Sequence, residues 1–423
     1  MVKRIVVEKL VNPQILGQEL VLPTSKRVAK NRFMKSALSE QTALFTPDNP
    51  ETHGLPTQTH VNMYEKWNAG GFGITVTGNV MVDQHHLEAP GNTIIQEELD
   101  NPERRKIWKQ IAEIAKKHGN LIVAQIGHAG RQTSKLVNPK PFSSSTVALK
   151  TKVFNREFGD PVELTTEQVK TEVVDKFVYT AKYLFDAGFD GVQLHGAHGY
   201  LLAQFMSRTT NKRTDKYGGS ARNRAQILVE IYNGIRQQVP VETGFIIGAK
   251  LNSVEFQNEG LSTDEAQEVA QTLDETGFDF LELSGGTYET LSFKHRKEST
   301  IKREAPAAQE FDLPRQILSG KVHSAAEFPF NDDLIACALA CTLQMSQAGQ
   351  KSLAEDPNIN DGIMDLSDEE TVREYLQIQN QFLLTVLEAG KEGKIKVGLV
   401  PYKIDNFTGN SSEFLAQKVS NNF

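Results

Sequence analysis

Residues 186–194 read DAGFDGVQL, and residues 275–283 read ETGFDFLEL. Each phrase leaves the end of a helical pattern, passes through a glycine and enters a short apolar run. A glycine just past a helix takes the left-handed C′ conformation without steric cost. The run that follows has the character of a strand buried on both faces. The two phrases resemble each other as successive βα units would. Outward from them the same alternation continues. Strands are predicted at Phe72–Val80, Leu121–Ile126, Gly191–Leu194, Phe245–Leu251 and Phe278–Leu283. Helical patterns lie between them at Glu103–Lys117, Val169–Ala187, Ala221–Gln238 and Thr263–Thr276. Turn signals follow each helix at His118-Gly119, Ala187-Gly188, Pro240 and Thr276-Gly277. Such alternation predicts a parallel sheet with helical crossovers. A doubly wound sheet and a (β/α)8 barrel both satisfy it. Polar residues follow several strands rather than one, which favours the barrel, because barrel sites gather at the C-terminal ends of many strands.

Composition agrees with a large globular chain. Of 423 residues, 39% are apolar and 23% charged, enough apolar material for a sizeable core. The net charge of −7 is unlike the basic footprint of a nucleic-acid binder. Met1–Leu10 carries Lys3, Arg4, Glu8 and Lys9 and lacks the apolar run of a signal peptide. No stretch is long enough to span a membrane. Cys337 and Cys341 sit one helical turn apart and are expected to be buried or inert thiols. Low cysteine usage suits a reducing compartment, so a cytoplasmic location is expected. Sequons at Asn406 and Asn410 would matter only in a secreted chain.

The chemistry concentrates after the strand that ends at Leu194, in His195, Gly196, Ala197, His198, Gly199 and Tyr200. Two imidazoles three residues apart at a strand end can both donate toward one oxyanion. Tyr200 adds a phenolic proton donor. The glycines permit a tight turn and close ligand approach. By itself the His-x-x-His pattern is weak. It could hold a metal, although no third ligand is evident and no metal site is assigned, or it could be two hydrogen-bonded loop histidines. Arg213, Asp215, Tyr217, Asn223 and Arg224 read as a structural polar network beneath the site.

The wider context narrows the choice. HGAHGYLLAQFMS at 195–207 followed by NKRTDKYGGSARNR at 211–224 resembles the old yellow enzyme family. So do KNRFMKSALSE at 30–40, VTGNVMVD at 76–83, AQIGHAGRQ at 124–132 and GAKLNSVEFQNEG at 248–260, in the family's order. The resemblance runs from about Asn12 to Tyr288, with a weaker tail from Asp312 to Leu376. It implies an FMN-containing (β/α)8 TIM barrel that moves hydride from NAD(P)H through the flavin to an activated alkene, a small-molecule substrate. On the matching positions it implies that Ser36, Ala37 and Ser39 cradle the flavin ring and that Asn79 faces it. Gln125 would bond the pyrimidine edge. Lys250, where many members have Arg, would sit beside N1, supplying the charge without Arg's fork. His195 and His198 would hold the substrate's carbonyl oxygen, and Tyr200 would protonate the α-carbon.

The pattern breaks after Tyr288. Only the 27 residues 285–311 separate the sixth strand from what resembles the eighth helix. One βα unit of such a barrel takes roughly 30 residues. The region from strand seven to strand eight is therefore expected to be missing, with a junction near Ala305–Ala308. The Gly-rich turn and Gly-Arg pair that would bind the FMN phosphate are not recognisable. Weakened FMN binding is expected, with Arg296, Lys297, Lys302 or Arg303 as possible substitutes for the lost ligands. Three regions follow: a barrel-like domain over 1–325, a helical C-terminal extension over 326–405 and a flexible tail over 406–423. The alternative to an active oxidoreductase is an impaired or truncated family member acting as a binding or scaffold protein. Homo-oligomers are compatible with the sequence, but no interface is legible.

Overall fold

The computed structural model describes residues 3–7, 10–152, 156–289, 306–330, 333–403 and 413–415. Six parallel strands form its centre: β1 Met34–Lys35, β2 Ile74–Val76, β3 Leu121–Gly127, β4 Gly191–Gly196, β5 Ile246–Asn252 and β6 Phe280–Ser284. Their spatial order is their chain order, β1 to β6. A doubly wound sheet reverses direction at a switch point. This one does not. It curls as part of a barrel, which settles the choice the sequence left open.

Helices cross over between strands: α1 Gln58–Ala69, α2 Pro102–Lys116, α3 Asp175–Ala187, α4 Gln226–Gln238 and α5 Thr263–Thr276. Their starts are written in the sequence. The Asn101 side chain accepts from the Arg104 N–H at the head of α2, with Pro102 in the first turn. Ser262 and Glu265 form a capping box on α5. The ends of α3 and α5 are Gly188 at φ +95° and Gly277 at φ +106°, as the two opening phrases require.

The aspartate repeated in those phrases also does the same work twice. Asp190 accepts the Ile122 N–H of β3 at 3.0 Å, and Asp279 accepts the Ile247 N–H of β5 at 3.1 Å. Each carboxylate thereby fastens the start of its own strand to the start of the preceding one. Asp190 is neutralised further by Arg27 at 2.8 Å.

The core fills the space between sheet and helices with Trp67, Trp108, Phe177, Phe205 and Phe245, all fully buried. Several expectations shift in detail. The second strand stops at Val76, and Val80–Met81 forms a separate pairing beside β3. The third helical stretch begins at Thr166 and includes a π-helical turn over Val169–Val174. The fourth is interrupted at Ala225. Helix α1 was not read from the sequence.

After β6 the chain returns to the start of the barrel. Phe311 stacks on Trp67 of α1 with ring centroids 4.6 Å apart. The Arg315 N–H donates to Gly70 O just past α1. This is where a last helix of a closed barrel would lie. Among the described residues after 284, no strand joins the parallel sheet. Leu283 of β6 is 69% exposed. Of the junction expected near 305–308, residues 306–308 lie in a short helix, Pro306–Gln309, whereas residue 305 and Arg296, Lys297, Lys302 and Arg303 lie outside the described residues. Two helices form the C-terminal extension, α6 Leu334–Ala348 and α7 Glu369–Lys391. Residues 413–415, within the segment expected to be a tail, pair antiparallel with Lys394–Lys396.

Candidate active site

The strand ends carry two adjoining groups of polar side chains. The first is a hydrogen-bonded row across β3 to β6. Gln125 donates to Gln193 at 2.7 Å, and Gln193 donates to Glu282 at 2.8 Å. The Lys250 ammonium lies 3.1 Å from the other Glu282 oxygen; Lys250 is buried, and the Glu282 side chain is 13% exposed. Ser36, just past β1, also donates to that oxygen and lies 3.4 Å from Lys250. Strand register explains the row: Gln125 faces Gln193, and Lys250 faces both His195 and Glu282. Burial alone would raise the Glu282 carboxyl. The Lys250 ammonium and the bonds from Ser36 and Gln193 outweigh that and hold it below the usual carboxylate range. Asn79 donates to Ser39 at 3.4 Å, while its buried carbonyl oxygen has no protein partner. Ala37 is half-buried against the apolar layer at the strand starts and marks the edge of this group.

The second group is His195, His198 and Tyr200. The imidazoles of His195 and His198 lie edge to face, 5.2 Å apart, and the Tyr200 ring is 4.8 Å from His195. Their placement is built into the backbone. His198 holds φ +60°, a strained value for a residue with a Cβ, followed by Gly199 at +79°. The Asn252 side chain accepts the His198 N–H at 3.1 Å, and Ser284 contacts His198 Nε2 at 2.6 Å. Burial, then His198 and Lys250, push the His195 imidazole well below its ordinary range. It is therefore neutral at neutral pH. The Ala197 N–H donates to its Nδ1 at 3.4 Å, which leaves the ring proton on Nε2. Burial, then Tyr288, push the Tyr200 phenol well above its ordinary range. Tyr200 thus keeps its proton.

The structure brings Ser36, Gln125 and Lys250 into one network, Ser39 and Asn79 into a pair, and His195, His198 and Tyr200 into a cluster beside Lys250. Five residues of the site were not read from the sequence: Gln193, Asn252, Glu282, Ser284 and Tyr288. Gln193 and Glu282 are polar residues inside otherwise apolar strands, a pattern violation that could have marked them. Of the five residues expected to form one polar network, Arg213, Asp215 and Tyr217 are joined, the Asp215 side chain accepting the Tyr217 N–H at 3.1 Å, whereas Arg224 bonds elsewhere and the Asn223 N–H donates to Ser220. Arg213 pairs with Asp215, whose carboxyl it holds at about 2, and Arg224 binds Met206 O at 2.7 Å.

Another cluster joins Asp83, His86 and His128, whose possible ligand atoms lie within 4.8 Å of one another. Most of its groups are already engaged, although the buried His128 Nε2 has no hydrogen-bond partner. His86 Nδ1 meets Asp83 at 2.9 Å, the Phe142 N–H donates to His86 Nε2 at 2.9 Å, and Lys176 holds the other Asp83 oxygen at 2.6 Å. A fixed ammonium on the carboxylate opposes a second cation there.

Comparison with known proteins fits the geometry. The profile of the NADH:flavin oxidoreductase / NADH oxidase family matches residues 26–332. The chain belongs to that family, the old yellow enzyme family. It is 45% identical over 282 residues to the NADH-dependent flavin oxidoreductase nadA of Aspergillus parasiticus, covering 66% of this chain and 63% of that one. It is 34% identical over 288 residues to the NADH-dependent flavin oxidoreductase iliE of a Neonectria species, covering 64% and 36%. The match thus spans less than two thirds of either curated relative. In fold, the chain is similar to the old yellow enzyme homologue from Zymomonas mobilis, with a TM-score of 0.59 at 20% identity, over 76% of this chain and 96% of that one. The family and both curated relatives are named for a flavin and NADH. The residues present fit a flavin's polar edge: amide, hydroxyl and ammonium donors converge, and the Asn79 carbonyl is an unmatched buried acceptor. Among the described residues, no helix is long and apolar enough to cross a membrane.

Proposed function

We propose that the chain is an FMN-dependent oxidoreductase that reduces activated alkenes, such as α,β-unsaturated carbonyl compounds, with NADH or NADPH as the electron source. The observation that carries this reading is the cluster of neutral His195, His198 and protonated Tyr200 beside the Lys250–Gln125 row. When bound, FMN supplies hydride chemistry. Gln125, Ser36, Ser39 and Asn79 would hold its ring, and Lys250 would meet charge on its reduced form.

The protein's own contribution follows from charge and proton placement. Hydride arriving at the β-carbon of an enone leaves negative charge on the carbonyl oxygen. The His195 Nε2–H, with His198 beside it, offers fixed donors to that oxygen. A neutral imidazole does this without giving up its proton. Tyr200 then delivers a proton to the α-carbon. Glu282 neutralises Lys250 in the resting site, so the cation is retained in a buried place at tolerable cost.

Anaerobic reduction of a cyclic enone by NADH, with the saturated product identified, tests the reading. His195→Ala should lower the rate of alkene reduction by roughly 10²-fold, the loss expected for one oxyanion donor. NADH-driven bleaching of the flavin should persist in that variant. Equal enone reduction by the parent chain and His195→Ala would refute the role given to the cluster.

A further inference from the structure

Tyr200 is only 7% exposed, so a phenolate formed there by proton delivery has little direct contact with water. Its hydroxyl lies 2.9 Å from the hydroxyl of Tyr288, within hydrogen-bond distance. The Tyr288 ring stands edge-on to that of Tyr200 and packs at its other side against Phe158, 6.0 Å away. Tyr200 is buried, whereas Tyr288 is half-buried and so lies nearer the surface. Its place is fixed by the backbone. Thr287 forms a parallel bridge with His198, which joins the loop after β6 to the loop that carries the histidines.

We propose that Tyr288 relays protons between bulk water and Tyr200, as a positioning residue that acts through Tyr200. This rests on the proposed role of Tyr200 as donor. The step balances as follows. Bound reduced FMN would supply the hydride for the C–H bond at the β-carbon. The Tyr200 O–H breaks and a C–H bond forms at the α-carbon. Tyr288 then gives its hydroxyl proton to the Tyr200 oxygen, and water returns a proton to Tyr288. Burial first of all raises both phenols, so the pair carries its protons at rest. Glu88 raises and Arg156 lowers the Tyr288 phenol, pulling in opposite directions.

The test measures exchange of the Tyr200 hydroxyl with solvent in the full chain, by NMR of 13Cζ-labelled tyrosine in mixed light and heavy water. Y200F identifies the signal. In Y288F the exchange should slow by roughly tenfold or more, at the low side of what a positioned proton-transfer group contributes. Y288H, which keeps an exchangeable proton at that place, should recover most of the rate. An unchanged rate in Y288F overturns the proposal. So does equal slowing in Y288F and Y288H, because packing would then explain both. If Y288F does not fold, 3-fluorotyrosine at position 288, with its more acidic hydroxyl, must speed the exchange, and no change overturns the relay. No substrate is needed. A chain with this exchange but no enone reduction would refute the proposed function and leave the relay standing.

Discussion

Replacing Glu282 by glutamine removes one charge from the centre of the site and keeps the shape of the side chain. Lys250 would remain buried beside a neutral amide. At 3.1 Å and an effective dielectric constant of about 20, the attraction between the two charges is about 5 kcal/mol. Part of that offsets the cost of burying both ions. Breaking one partner of a buried pair typically costs about 3–5 kcal/mol, and removing both often costs little. The glutamine can still accept from Gln193, so the loss reports charge more than hydrogen bonding. Urea unfolding at neutral pH should therefore show E282Q destabilised by about 3 kcal/mol or more. The double variant K250M/E282Q should recover most of the loss, a coupling of at least about 2 kcal/mol. A single-variant cost under about 1 kcal/mol, or a double variant equal to the sum of the singles, would refute the argument that the pair is mutually required.

Two further outcomes follow from burial. His195, His128 and His60 are all pushed below their ordinary range, chiefly by burial, and His53 is lowered to about 4 by burial with Arg104 beside it. A depressed folded value gives stability that is complete above the unfolded value, about 6.5, and lost as pH falls below it. Glu282 behaves alike from its own unfolded value of about 4.3 downward. The urea midpoint should thus hold steady down to about pH 6.5 and then decline, and a midpoint still constant at about pH 5 would contradict the neutral, buried histidines. Trp67→Ala should cost about 3–5 kcal/mol, because the ring is fully buried, stacks on Phe311 and lies 3.9 Å under the Lys35 ammonium. A loss below about 1 kcal/mol in the same assay would show that the segment after β6 is not docked on α1.

Much of the barrel could be read from local sequence, because the signals are local. The glycines at 188 and 277 and the strands after them need only their neighbours to be recognised. Helix α1 escaped because its buried face includes His60, Asn62, Lys66 and Asn68, which blur the apolar stripe. Gln125, Lys250 and the histidines were found through strand-end position and family resemblance. Glu282 required register, since its meaning appears only when β6 is set beside Lys250 on β5. Tyr288 required the Thr287–His198 bridge, 89 residues apart in sequence, which no local pattern encodes. The Asp83, His86 and His128 stack likewise forms from two separate strand ends, with rings of His86 and His128 4.2 Å apart.

The central claim is that this chain holds FMN in a site able to use it, although the phosphate-binding turns of the family are not recognisable in its sequence. The most direct measurement is the visible absorbance of the purified chain after FMN is added and the excess removed, followed by NADH without oxygen. The account predicts a flavin band that stays with the protein and bleaches with NADH, and that weakens in a Lys250→Met variant. A colourless protein after FMN treatment, or a retained band that NADH leaves unchanged, would contradict it.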